Sequence, residues 1–196
     1  FREIPRVRAL VQTDLEAAYE GDPAASGKEE VIFCYPGLFA ITVYRLAHVL
    51  YEMGIPMIPR IMTEHAHSIT GIDIHPGATL GPGLFIDHGM GLVIGETAEL
   101  GSNVTLYQGV TLGGTGKEKG KRHPTIGNNV MISSGAKVLG PITVGDNSRI
   151  AANSVVLKEL PGNCTAVGIP ARIVKKDGQK VDYVSNVDFQ GEKLNV

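Results

Sequence analysis

Aliphatic residues return every six positions through the middle of the chain, at Ile74, Leu80 and Ile86, then Ile94, Leu100, Leu106 and Leu112, then Ile126, Ile132, Val138, Val144, Ile150 and Val156. A helix cannot hold this period. Six residues advance about 600°, roughly 240° past a full turn, and would scatter the aliphatics around the axis. A short strand followed by a tight turn holds it well. Glycine often follows the aliphatic directly, at Gly81, Gly95, Gly101, Gly113, Gly127 and Gly145, and the fifth position is small or β-branched at Ala78, Ala98, Val104, Val110, Val130 and Ala136. Three such edges close into a triangular coil with every aliphatic pointing inward, and stacked coils bury one continuous column. Thirteen hexads at three per coil predict a little over four coils. Ordinary hairpins would instead show spacings of about 8–12 residues with variable phase.

The register breaks twice. Ile86 to Ile94 contains a two-residue insertion and Leu112 to Ile126 an eight-residue one, which is basic and glycine-rich. Insertions in a solenoid become external loops, where function concentrates. Before the repeat the spacing is helical. Val7, Leu10, Val11, Leu15 and Ala18 form one stripe up to Gly21-Asp22-Pro23, a second helix is expected from about Pro36 to Met53, and a third runs from Pro56 to near Gly71. The 196 residues thus divide into a helical part at 1–71, the repeat at 72–174 with an external loop at 113–125, and a polar tail at 175–196. Tryptophan is absent and aromatics make up 6%, so the core is aliphatic. A net charge of −2 leaves no footprint for nucleic acid. Cys34 and Cys164 lie too far apart in sequence for a disulfide framework or a metal motif. No membrane-length apolar run and no signal-peptide order are present, so a cytoplasmic protein is expected. Residue 1 is Phe, which leaves open what precedes it.

Six histidines are candidates for chemistry. His48 lies within an apolar helix and is expected to pack there. His65 and His67 stand two apart, which does not share a helical face, and His75 precedes Pro76 as a turn residue. His88 and His123 differ because each sits at a break in the repeat. Asp73 lies fifteen residues before His88, which places it on the adjacent coil. A carboxylate on one imidazole nitrogen leaves the other free as a base near neutral pH, so this pair is either a general base with its orienter or two surface polar residues on neighbouring coils. Neither cysteine has a neighbouring histidine, which argues against a thiol nucleophile.

Gly71-Ile72-Asp73-Ile74-His75-Pro76, Ile86-Asp87-His88-Gly89-Met90-Gly91, Gly95-Glu96-Thr97-Ala98, Leu112-Gly113-Gly114-Thr115-Gly116-Lys117 and Arg122-His123-Pro124, in this order and spacing, closely resemble the serine acetyltransferases. The resemblance spans roughly residues 14–174. It implies a left-handed parallel β-helix preceded by a small α-helical domain, the handedness coming from the resemblance alone. It implies acetyl transfer from acetyl-CoA to the hydroxyl of L-serine in cysteine biosynthesis, with active sites between neighbouring prisms of a homotrimer or a dimer of trimers. His88 matches the catalytic base and Asp73 its carboxylate partner. Asp22 and Asp87 match contacts to the serine amino group, and Arg122 and His123 match the pair that binds its carboxylate. Acids at one end and bases at the other suit a zwitterion. Gly114 matches a backbone position near the thioester, and CoA is expected along Gly114, Ser134 and Ala152, with Lys137, Arg149 or Lys158 meeting its phosphates. Glu96 matches a residue near the site whose role stays open. Cysteine is implied as an inhibitor, and the C-terminal tail as a dock for O-acetylserine sulfhydrylase, although Lys193-Leu194-Asn195-Val196 lacks the usual terminal Ile.

No metal is expected. The zinc-dependent γ carbonic anhydrases share this fold but carry histidine pairs five apart, a spacing the six histidines do not contain. A second alternative, a hexapeptide acyltransferase acting on another hydroxyl acceptor, has no use for Asp22, Asp87 and Arg122 as a zwitterion clamp.

Overall fold

The structure, a computed structural model, describes residues 2–116 and 119–181. Four helices come first: α1 (Ile4–Gly21), α2 (Lys28–Cys34), α3 (Pro36–Glu52) and α4 (Ile58–Thr70). Three follow the sequence reading. The short α2 does not, because it buries only Val31 and so writes no apolar stripe. Among the described residues no single helix is long and apolar enough to cross a membrane.

The rest is a parallel β-helix of three faces. Face 1 stacks β1 (Ile72–Ile74), β4 (Leu92–Ile94), β7 (Thr111–Gly113), β10 (Lys137–Leu139) and β13 (Val155–Val156). Face 2 stacks β2 (Thr79–Leu80), β5 (Glu99–Leu100), β8 (Thr125–Ile126) and β11 (Thr143–Val144). Face 3 stacks β3 (Phe85–Asp87), β6 (Thr105–Tyr107), β9 (Met131–Ile132), β12 (Arg149–Ile150) and β14 (Cys164–Val167). The hexad aliphatics pair in register, Ile74 on Ile94 on Leu112 on Val138 on Val156 for face 1 and Ile86 on Leu106 on Ile132 on Ile150 for face 3. All thirteen are buried in one column. At the turns from face 2 to face 3, Asn103, Asn129, Asn147 and Asn163 adopt left-handed backbone and pass hydrogen bonds from one coil to the next, at 3.1–3.3 Å.

The column runs further than the hexads predict. Leu160 bridges to Val144, and Ala166 of β14 pairs with Ile150, although Val156 to Leu160 is four residues rather than six. Strand pairing also crosses residue 174: β15 (Arg172–Lys176) runs antiparallel to β14, and β16 (Gln179–Lys180) pairs with β15. Residues 182–196, which hold most of the expected tail, lie outside the described residues.

α3 lies across the first coil, with Ala40, Ile41 and Tyr44 joining the aliphatic column and the Tyr44 hydroxyl donating to the Ala78 carbonyl. Beside it, Arg45 donates to both oxygens of Asp14 at 2.6 and 2.8 Å and to the carbonyls of Leu80 and Gly81. Asp14 Oδ1 also accepts the Leu84 N–H at 2.9 Å. The pair is sealed, with Asp14 0% and Arg45 4% exposed, and ties α1, α3 and the first coil together.

Removing one partner of a buried pair strands a charge, whereas removing both with apolar replacement is tolerated. Arg45→Met is therefore expected to lower the unfolding free energy by about 3–5 kcal/mol, with Asp14→Leu/Arg45→Met recovering most of the loss. Urea denaturation checks this. A double variant as unstable as the single one would show that the pair's hydrogen bonds to the first coil matter more than its charge balance.

Candidate active site

The two-residue insertion is absorbed at the turn from β3 to β4. His88 has φ +56° and Gly89 φ +81°, and the Gly89 N–H returns to the Asp87 carbonyl at 2.6 Å. This three-residue turn holds a non-glycine residue in left-handed backbone, a strain of about 1–3 kcal/mol that concentrates at functional sites. It puts the imidazole into solvent at 71% side-chain exposure, with the nearest carboxylate oxygen that of Asp87 at 3.7 Å.

Asp22 comes to the same place from the end of α1. Gly21 lies against the Phe85 ring of β3, which brings the turn after α1 to the His88 edge. The Asp22 carboxylate accepts the Ala24 N–H at Oδ1, 2.8 Å, and the Tyr35 hydroxyl at Oδ2, 2.5 Å. The hydrogen bond from Tyr35 is the main cause that holds Asp22 below the usual carboxylate range, and the charge of His88 adds to it. The same bond pushes the Tyr35 phenol up to about 12, so it remains a donor. Asp22, Tyr35, Asp87 and His88 thus form one polar group on the edge between faces 3 and 1.

The long loop forms a second group on the edge between faces 1 and 2. Thr97, in the turn after β4, organises it: its Oγ1 accepts the N–H groups of Arg122 at 3.0 Å and His123 at 3.1 Å, and lies 2.9 Å from His123 Nδ1. The Thr97 N–H donates to that Nδ1 at 3.1 Å, so the neutral ring carries its proton on Nε2. Lys121 adds a bond to the Thr97 carbonyl at 2.8 Å. Burial, reinforced by Arg122, pushes His123 below the ordinary imidazole range. Arg122 Nη2 donates to Glu96 Oε2 at 2.5 Å, and that bond is the main cause holding the Glu96 carboxyl low. Glu96, left without a role by the sequence, therefore fixes the guanidinium.

The predicted site residues divide between these edges. Ser134 and Ala152 stack beneath His88, in turns linked by Gly109 N–H to Met90 O, Gly135 N–H to Gln108 O and Asn153 N–H to Ser134 O. Gly114 follows β7 and stands with Arg122 and His123 on the other edge, a face away from Ser134 and Ala152. Lys137 donates from its ammonium to the Gly109 carbonyl on the coil above. On β1, whose next neighbour on face 1 is β4, Asp73 shares no hydrogen bond with His88 among the described residues, and its carboxylate gathers with Glu64 and His67 of α4, their ligand atoms within 4.8 Å of one another. His48 and His75 fall as read: His48 stacks on Tyr44 and contacts the Pro76 carbonyl at 2.8 Å, and His75 Nδ1 accepts the Gly77 N–H in its turn. Tyr35 has no separate sequence signal, because one hydroxyl in a turn does not announce its partner; Thr97 has one, since it precedes His123 by the 26 residues that separate the stacked Leu100 and Ile126.

The stacked hexads define a hexapeptide-repeat solenoid, and residues 123–158 match the family described as bacterial transferase hexapeptide (six repeats). The relatives narrow this. The serine acetyltransferase of Synechococcus elongatus is 55% identical over 93% of this chain and 75% of its own length. Solved serine acetyltransferases superpose closely: that of Brucella abortus strain S19 in complex with coenzyme A at TM-score 0.87 and 46% identity, covering 92% of this chain and 72% of that one; that of Neisseria gonorrhoeae in complex with serine at 0.85 and 42%, covering 88% and 71%; and one in complex with cysteine at 0.87 and 40%, covering 90% and 68%. The chain belongs to the serine acetyltransferase family.

Gly95 is where the His123 ring passes: a Cβ there would meet ring atoms at 2.2 Å. Gly95→Ala is expected to push the imidazole out of its slot. Since burial is the main cause of its lowered pKa, the pKa should rise towards the solvent value, followed by NMR titration of the ring protons. An unchanged titration would mean the ring is not held by this packing.

Proposed function

We propose that the protein transfers the acetyl group of acetyl-CoA to the hydroxyl of L-serine, giving O-acetylserine and CoA, the first step from serine to cysteine. The observation that carries this is a solvent-facing imidazole, His88, set beside the carboxylates of Asp22 and Asp87 in a chain of this family. His88 takes the hydroxyl proton as the serine oxygen attacks the thioester carbonyl. The tetrahedral oxyanion meets the Gly114 N–H, and its collapse expels the CoA thiolate, which takes the proton back from the imidazolium. No acyl-enzyme forms, so both substrates are bound together.

Asp22 and Asp87 receive the serine ammonium, and Arg122 and His123 receive its carboxylate. In one chain these pairs sit on opposite edges of face 1. A homotrimer that sets the His88 edge of one prism against the Arg122 edge of the next completes the site, and CoA then runs down the seam past Ser134 and Ala152. Cysteine carries the same ammonium and carboxylate as serine and competes for the same clamp. The exposed free thiol of Cys34 suits the reducing cytoplasm. Docking of O-acetylserine sulfhydrylase would use residues outside those described.

Asp73 orients His88 once the exposed imidazole turns towards β1. Asp87 is the second reading for that role, because it is the carboxylate His88 meets at 3.7 Å.

His88→Ala is expected to lower kcat by roughly 10²–10⁴-fold with acetyl-CoA binding retained. Asp73→Asn should lower kcat by less, and Asp87→Asn should act mainly on KM for serine. The reverse pattern in steady-state kinetics would hand the orienting role to Asp87. Arg122→Ala removes a planar fork that grips the carboxylate about equally in ground and transition states, so KM for serine should rise roughly tenfold or more while KM for acetyl-CoA holds. A rise confined to acetyl-CoA would make the loop a phosphate clamp.

A further inference from the structure

We propose that Tyr35 is a positioning residue for the amino group of serine, acting through Asp22. The proposal rests on Asp22 receiving that ammonium. Asp22 lies in the turn after α1, where a lone carboxylate would rotate freely. Here both its oxygens are held, Oδ1 by the Ala24 N–H at 2.8 Å and Oδ2 by the Tyr35 hydroxyl at 2.5 Å. A carboxylate has about four acceptor positions, so two remain for the ligand.

The donor is itself anchored. Tyr35 is the hinge residue between α2 and α3: its N–H returns to the Val31 carbonyl at 3.2 Å and Pro36 begins the next helix. It packs on the small cluster of Leu15, Ala18, Val31, Leu38 and Phe85, the same cluster that seats the end of α1 on β3. Donor and acceptor therefore ride on one rigid body, and the turn that carries Asp22 is held from both sides.

The chemistry of the donor matters as much as its placement. A lysine or arginine in this position would neutralise Asp22 and compete with the incoming ammonium. A phenol orders the carboxylate and leaves its full negative charge. The groups whose charges reach Tyr35 are Asp22, Glu30 and Asp87, all acidic, which keeps the phenol protonated.

Tyr35→Phe preserves the ring and deletes only the donor. KM for serine should rise about 5- to 10-fold, the worth of one hydrogen bond, with kcat and KM for acetyl-CoA moving less than about twofold. Inhibition by L-cysteine should weaken in parallel, and inhibition by 3-hydroxypropionate, which lacks the amino group, should not. Asp22→Ala/Tyr35→Phe should be no worse than Asp22→Ala alone, because Tyr35 acts only through Asp22. Additive losses, or equal weakening of L-cysteine and 3-hydroxypropionate, would overturn the proposal and make Tyr35 a structural residue. If Asp22→Ala raises KM for serine and Tyr35→Phe does not, the role of Tyr35 falls and that of Asp22 stands. If Asp22→Ala itself leaves KM for serine at the wild-type value, the assignment of Asp22 falls and takes Tyr35 with it.

Discussion

The sealed contact between Arg45 and Asp14 fixes how α1 and α3 sit on the first coil. A parallel β-helix fixes its own geometry through its ladder, but nothing in that ladder says how helices should rest on its first coil. Arg45 answers with directional bonds, two to Asp14 on α1 and two to the carbonyls of Leu80 and Gly81. Apolar packing alone tolerates sliding; a desolvated fork with four fixed acceptors does not. With α1 locked, its end falls on Phe85 and Asp22 arrives beside His88. The position of Asp22 beside His88 thus depends on a buried contact further back along α1.

The solenoid supplies the complementary half of the design. Each turn of the coil visits the same edge again, so residues a coil apart in sequence stack into a column, and residues on different edges never meet within one chain. His88, Ser134 and Ala152 share a column; Glu96, Gly114, Arg122 and His123 share another. The carboxylates beside His88 and the bases of the long loop are thus held on separate rigid edges of face 1.

The fold was largely legible in the sequence because a period of six fits a three-faced coil and no helix, and the predicted aliphatics are the ones that stack. Legibility ended where the period did: Val156 to Leu160 is short by two residues, so the last rung was missed although its ladder is intact. The left-handed asparagines were visible as residues but not as a chain of hydrogen bonds, since that depends on coil spacing. For the site, breaks in register pointed to His88 and His123. The partner of His88 was not readable. Counting coils put Asp73 near His88, but which way a surface carboxylate turns depends on Glu64 and His67 of a helix packed alongside. Tyr35 and the buried ion pair act across sequence separations that follow no repeat, whereas Thr97 meets His123 at the same 26-residue offset that pairs Leu100 with Ile126.

The antiparallel turn at β15 has a consequence beyond tidying the chain end. A stack of parallel strands is an open-ended template whose terminal rung offers unpaired backbone groups to any strand of the same direction, including one from another copy. At one end α3 covers the rung. At the other β15 reverses direction on β14 and carries a lysine pair, Lys175 and Lys176, into the place where the next rung would form. A strand approaching face 3 from this end meets a mismatched, charged border, so the parallel ladder of that face stops at β14.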